Sequence, residues 1–191
     1  MSVNQIYRTT ISSGTYVAFA GQGTSGFIDA AGTSARFTLP KGLALNPTSN
    51  CLYVADHDNG AIRAINLTTS NVTTIAGCNG TRGNIDGPLG TNLLSNTQYV
   101  LYSAAYNMVY FSDAGGIKQV ELTSGCNVVT TLISSNITGA KPQGLFILSN
   151  TLYYVPDGTG YLMSYSLTPP IPQRNPSAIL YASNAHSWTL Y

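Results

Sequence analysis

Apolar and polar positions in this chain fall into short runs separated by turn-formers, and no run has the 3.6-residue period of a helix with caps. Cys51 to Ala55 is aromatic and β-branched, which suits a buried strand. Before it lie Gly42 to Leu45 and the turn Asn46-Pro47-Thr48-Ser49-Asn50. After it, Asp56-His57-Asp58-Asn59-Gly60 reverses the chain, the Asn-Gly pair supplying a positive φ. Ala61 to Leu67 and Val72 to Ala76 complete four predicted antiparallel strands.

The pattern then returns. Gly23-Thr24-Ser25-Gly26-Phe27-Ile28-Asp29 recurs as Gly80-Thr81-Arg82-Gly83-Asn84-Ile85-Asp86, an offset of 57 residues. At the same offset, Leu52 to Asp56 recurs as Val109 to Asp113, and Val72 to Ile75 as Val129 to Leu132. The second unit reads Tyr99 to Ser103, Met108 to Ser112, Ile117 to Leu122 and Val128 to Ile133. The third reads Gly144 to Leu148, Thr151 to Val155, Tyr161 to Leu167 and, after the stiff turn Pro169-Pro170-Ile171-Pro172, Ala178 to Ala182. Ile6 to Ile11 with Tyr16 to Ala20 reads as strands three and four of an earlier unit, and Ser187 to Tyr191 as strand one of a later unit.

Four-stranded units repeating every 40 to 60 residues or so predict an all-β protein, a β-propeller. One segment of residues 1–191 is expected, with blades at about 42–76, 99–133 and 144–182 and partial blades at 6–20 and 187–191. The series from Ala20 to Gly77 resembles the NHL-repeat β-propeller family: Ala20-Gly21-Gln22-Gly23, then Gly26-Phe27-Ile28-Asp29, Ala35-Arg36-Phe37, Leu52 to Asp56, Ile62-Arg63-Ala64-Ile65 and Val72 to Gly77. The second unit matches in its loop and in its second and fourth strands. The third matches around Gly144-Leu145 and Leu152 to Asp157, with Pro156 in place of a small residue.

Propellers close with about four to eight blades. Three complete blades would leave apolar blade faces and sheet edges in water. The expectation is therefore a piece of a larger propeller, and second, a piece that self-associates to close the ring.

Composition narrows the chemistry. Only 8% of residues are charged and the formal net charge is +1, against roughly 25% charged in an average domain. The eight basic residues are dispersed, a poor match to nucleic acid. No run approaches the roughly 18 apolar residues of a membrane helix. Cys51, Cys78 and Cys126 form no CxxC pair, and their pairing is open. The sequons at Asn66, Asn71, Asn79 and Asn136 are about as many as this composition yields by chance. The neutral, hydroxyl-rich surface leans toward an extracellular or cell-surface setting.

No catalytic residues, metal ligands or cofactor are expected. His57 and His186 are the only histidines, and Glu121 the only glutamate. NHL-like propellers include a zinc-dependent lyase and relatives of calcium-dependent esterases, but a lyase-type site needs several histidines from different blades. Asp56, Asp113 and Asp157 end the second strands and read as turn-forming carboxylates; Asp29 and Asp86 read as loop organisers. The resemblance implies a binding or scaffolding propeller presenting a loop rim to a protein, peptide or glycan. The candidate contact residues are Arg36, His57, Asp58, Arg82, Tyr106 and Trp188. The alternative is part of a propeller enzyme whose ligands lie mostly outside this segment.

Overall fold

The computed structural model describes residues 4–78, 80–122, 127–138 and 142–167. The predicted strands Ala178 to Ala182 and Ser187 to Tyr191, the proline-rich turn, Trp188, His186, Cys126 and the sequon at Asn79 lie outside the described residues.

The strands group in chain order. β1 (Ile6–Thr9) and β2 (Tyr16–Ala20) form an antiparallel pair. β3 (Pro40–Asn46), β4 (Cys51–Asp56), β5 (Ala61–Asn66) and β6 (Val72–Ala76) form a four-stranded meander. β7 (Gly87–Pro88), β8 (Val100–Ser103), β9 (Met108–Asp113), β10 (Gly116–Glu121) and β11 (Val128–Ser134) form a sheet in the order β7-β11-β10-β9-β8. β12 (Gln143–Leu148), β13 (Thr151–Val155) and β14 (Met163–Ser166) form a third meander. A 3-10 turn at Gly32–Ser34 and one helical turn, α1 (Ser135–Thr138), are the helical pieces among the described residues. The two-residue strand β7, inside the long loop before the second meander, was not expected from the sequence.

Local chemistry explains the turns. Gly60 has φ 56°, the left-handed conformation that the Asn59-Gly60 pair favours, and its N–H donates to His57 O at 3.2 Å. Three hairpins among the described residues carry the same irregularity. The register slips after Ile6 in β1–β2, after Ile62 in β5–β6 and after Ile117 in β10–β11. A bulge at one matching place adds the same local twist to each hairpin.

Alternation along the strands builds two cores between sheets. Tyr53, Ala55, Ile62 and Ala76 of the first meander face Val100, Val109, Phe111, Val120 and Val129 of the second sheet. The other face of the second sheet, with Met108, Tyr110, Ile117 and Ile133, packs on Leu152, Tyr154 and Leu167. A third cluster joins Ile6, Ala20 and Phe37 to Val54, Ile65 and Val72. The fold is all-β and of propeller type: antiparallel sheets stacked face to face, each hairpin entering the next in sequence.

Among the described residues, both outer faces of the stack are incompletely covered. The β1–β2 pair lies over Val54, Ile65 and Val72, yet Leu43 and Leu45 on β3 are more than half exposed. At the other end Phe146 and Leu148 on β12 are also more than half exposed. The equivalent innermost-strand positions of the second sheet, Val100 and Leu101, are sandwiched between neighbours.

Candidate functional site

The long loops at 21–36 and 80–93 are tied down by buried cations on β5 and β10, the third strands of the first two meanders. Arg63 on β5 is fully buried. Its Nη1 donates to Asp56 Oδ2 at 2.8 Å and to Arg36 O at 3.0 Å. Its Nη2 donates to Ile28 O at 2.9 Å and to Asp29 Oδ1. The guanidinium lies over the rings of Phe27 and Phe37, 4.6 Å and 5.1 Å from the centroids. Asp29 in turn accepts from Thr74 N at 2.9 Å and Thr74 Oγ1 at 3.1 Å on β6. One side chain thus joins the loop to β4, β5 and β6.

The second sheet repeats the cage with a lysine. Lys118 Nζ donates to Asp86 Oδ1 at 2.6 Å and to Thr131 Oγ1 at 2.8 Å. Asp86 accepts from Thr131 N at 2.6 Å and Thr131 Oγ1 at 2.9 Å. Asp29 and Asp86 therefore organise their loops as expected. The reading of Asp56 as a turn-former accepting N–H groups of its own turn needs correction, because its carboxylate accepts instead from Thr38 N at 2.8 Å, Asn59 Nδ2 at 2.8 Å and Arg63 Nη1 at 2.8 Å. Asp113 stays closer to that reading, accepting Gly115 N in its own turn at 2.7 Å and, across the loop, Ser95 N at 3.3 Å.

Burial sets the protonation of these groups. It pushes Asp56 above the usual carboxylate range, against the pull of Asn59, the Thr38 N–H and Arg63. Asp113 is pushed up to about 6 by burial, only partly opposed by the charge of Lys118 and by the Gly115 and Ser95 N–H groups. At Asp86 burial also pushes upward, but the bonds from Lys118 and Thr131 outweigh it and hold the carboxyl low.

The structure brings three of the six predicted contact residues together. His57 Nδ1 lies 2.7 Å from Asp58 Oδ1. Arg82, from the second long loop, places Nη2 3.0 Å from the same oxygen and donates from Nε to Asp58 O at 2.7 Å. Its Nη1 donates to Asn96 Oδ1 at 3.2 Å. Burial of Asp58 acts upward, yet His57 and Arg82 outweigh it and lower its pKa. This cluster links the first meander's turn to the second loop, and Asp58 N also donates to Thr38 O at 3.0 Å. Arg36 stands apart, its Nε bonded to Gln22 Oε1 at 2.6 Å.

Tyr106 is not a surface contact. It packs in the core between the second and third sheets, and its hydroxyl donates to Leu167 O at 3.3 Å. The third sheet covers a turn that looked open in the sequence. Trp188 lies outside the described residues. Among the described residues no three His, Cys, Asp or Glu side chains cluster, and no helix is long and apolar enough to cross a membrane. Cys51 and Cys78 are free thiols, Cys78 Sγ lying 3.1 Å from Gly90 O.

The sequence reading missed a polar group where the first strands of the three sheets meet. A shallow depression is lined by Lys41, Gly42, Gln98 and Tyr99. Gln98 Nε2 donates to Gln143 Oε1 at 3.3 Å, and Tyr99 OH to the same oxygen at 2.9 Å. The available signal was Pro40-Lys41-Gly42-Leu43 against Pro142-Gln143-Gly144-Leu145.

No family model matches the chain. Over 135 residues it is 36% identical to Protein SUPPRESSOR OF QUENCHING 1, chloroplastic, of Arabidopsis thaliana, covering 66% of this chain and 13% of that protein. The chain thus spans only a small part of the curated relative it matches. Among solved structures it resembles a Nidogen/Laminin complex, with TM-score 0.58, 16% identity, and coverage of 85% of this chain and 52% of that one. A protein of unknown function from Bacteroides thetaiotaomicron gives TM-score 0.52 at 20% identity, covering 68% of this chain and 31% of that one. An auxiliary nutrient binding protein from the same organism gives 0.50 at 24% identity, covering 58% and 30%. At these identities the likeness concerns fold, and it agrees with the sheet stacking: the chain is a propeller-type β protein.

Proposed function

We propose that this chain is a binding propeller of the NHL type, part of a larger ring, whose loop rim docks a protein, peptide or glycan. The observation that carries this reading is the pair of cation cages. Asp29–Arg63 and Asp86–Lys118 fix both long loops to the strands beneath, so the rim is held in shape before any partner arrives. Three of the five ion pairs among the described residues lie within the cages, where they hold the loops instead of facing a partner. The outward contacts left to the rim are hydroxyls, amides, backbone and the half-open His57–Asp58–Arg82 cluster. That composition suits a neutral partner surface more than a polyanion. The structural neighbours include a nutrient binding protein and a chain of a Nidogen/Laminin complex, which adds support.

The test is a screen of the purified protein against glycan and peptide arrays, followed by affinity measurement with Arg82→Ala and His57→Ala. A specific ligand that both variants weaken is the expected result. A ligand indifferent to both, yet displaced by changes on the opposite rim, would reject this assignment.

We also propose self-association through the outer faces, because Leu43 and Leu45 at one end and Phe146 and Leu148 at the other are large apolar groups left open.

A further inference from the structure

Six cationic side chains lie among the described residues, and five of them have partners. Arg63, Lys118 and Arg82 are in ion pairs. Arg36 is bonded to Gln22, and Arg8 lies over Phe19. Lys41 alone among them makes no ion pair, hydrogen bond or ring contact among the described residues. It is also exposed and lines the depression between the first two sheets.

Its position is fixed by strand packing. A side-chain carbon added at Gly42 would sit 2.6 Å from Gln98 O and 3.1 Å from Tyr99 Cα. The backbones of β3 and of the segment entering β8 therefore touch, which gathers Lys41, Gln98 and Tyr99 at one mouth. By the repeat offset and the shared Pro-x-Gly-Leu pattern, Lys41, Gln98 and Gln143 occupy the same place in three successive units. Each unit thus offers a long side chain with N–H donors at the inner end of its first strand. Gln143 Oε1 draws the Gln98 amide and the Tyr99 hydroxyl toward one point. Leu39, two residues before Lys41, holds φ 51° and keeps its side chain 40% exposed. Asn96, at the same place in the next unit, holds φ 56°. Asn is a common occupant of that conformation and Leu is not.

We propose that this mouth binds a carboxylate next to an apolar side chain, as a peptide C-terminus or an Asp or Glu beside Leu presents it. The inference rests on the binding reading above and names a chemistry for it. Lys41 would donate the charge-assisted bond, and the Tyr99 hydroxyl and Gln98 amide, turned from Gln143 to the ligand, would complete the acceptor's shell. Leu39 would cover the apolar side chain.

The experiment is a titration of the whole chain with N-acetyl-L-leucine, with N-acetyl-L-leucinamide as the uncharged control, followed by amide NMR. Expected are saturable shifts centred on Gln98, Tyr99 and Gln143, in the millimolar range that so small a ligand reaches. Lys41→Gln should weaken binding about tenfold or more, Lys41→Arg should retain most of it, and the amide should not saturate. Equal binding of the amide, or of Lys41→Gln, overturns the proposal, as does the absence of saturation. Rim affinity for any array ligand, measured in Lys41→Gln, separates the two readings. If it persists while the leucine titration fails, the mouth is wrong and the rim assignment stands.

Discussion

Arg63 and Lys118 occupy the same slot on successive sheets, but only Arg63 reaches the aspartate that ends the neighbouring second strand. Arg63 Nη1 is 2.8 Å from Asp56, while Lys118 bonds Asp86 and Thr131 and makes no ion pair with Asp113. The guanidinium fork spans both carboxylates; a single ammonium cannot. Removing a buried partner strands the remaining charge. Arg63→Ala is therefore expected to cost about 3–5 kcal/mol, and Lys118→Ala about 1–3 kcal/mol, in urea unfolding. Equal losses would show that the second carboxylate of the first cage contributes nothing.

Asp113 makes stability depend on pH in the opposite sense to an ordinary ion-paired carboxylate. Its folded pKa is raised to about 6, so the fold favours the protonated form. That contribution is complete below the unfolded value near 3.9 and is lost as pH rises through 6 or so. Asp113→Asn removes this titration and leaves one acceptor oxygen for the Gly115 and Ser95 N–H groups, a cost that does not vary with pH; relative to wild type the variant should therefore gain about 2 kcal/mol between pH 4 and pH 7.5. Asp58 and Asp86 are held low. Their contribution is present above the unfolded value and lost as pH falls through their folded values. Unfolding curves for wild type and Asp113→Asn across pH 3–8 check both limbs.

At the rim, binding and stability should separate. Arg82 and Asp58 are partly open to solvent, and such pairs contribute about 0–1 kcal/mol. Arg82→Ala should shift Tm little while weakening a rim ligand. A large loss of Tm would mean that the pair is structural.

Gly42→Ala tests the close approach at the inner strands. The added methyl meets backbone, not a movable side chain, so a cost of about 1–3 kcal/mol is expected. Calorimetry would read it directly.

The open faces predict concentration-dependent association. Leu45→Lys combined with Phe146→Lys should lower the weight-average mass in sedimentation equilibrium without unfolding the chain. An unchanged mass would rule out self-association through these faces.

The sheets were legible because period-two alternation and the 57-residue offset are local signals. Leu52 to Asp56 and Val109 to Asp113 both became second strands. The cages were not legible in full. A charged residue within an alternating strand reads as a solvent-facing one, and only the fold brings Arg63 to Asp29, 34 residues earlier. Their trace was present all the same, since Thr74 and Thr131 repeat at the same spacing as Asp29 and Asp86. Tyr106 was misjudged because its surroundings are set by Leu152, Tyr154 and Leu167, all from the next sheet. The polar mouth was missed because Lys41, Gln98 and Gln143 are unremarkable singly and gain meaning only in register.

Each loop is gripped at an aspartate, which bonds the buried cation and a threonine on the next strand, and at backbone groups around it: Ile28 O and Arg36 O accept from Arg63, and Gly83 N donates to Leu94 O. Exchange is therefore easiest at exposed positions between these anchors, such as Thr24 and Ser25, which bond no strand residue among those described. In such an architecture new specificities arise by changing a few outward side chains between fixed moorings, while the sheets beneath keep their sequence.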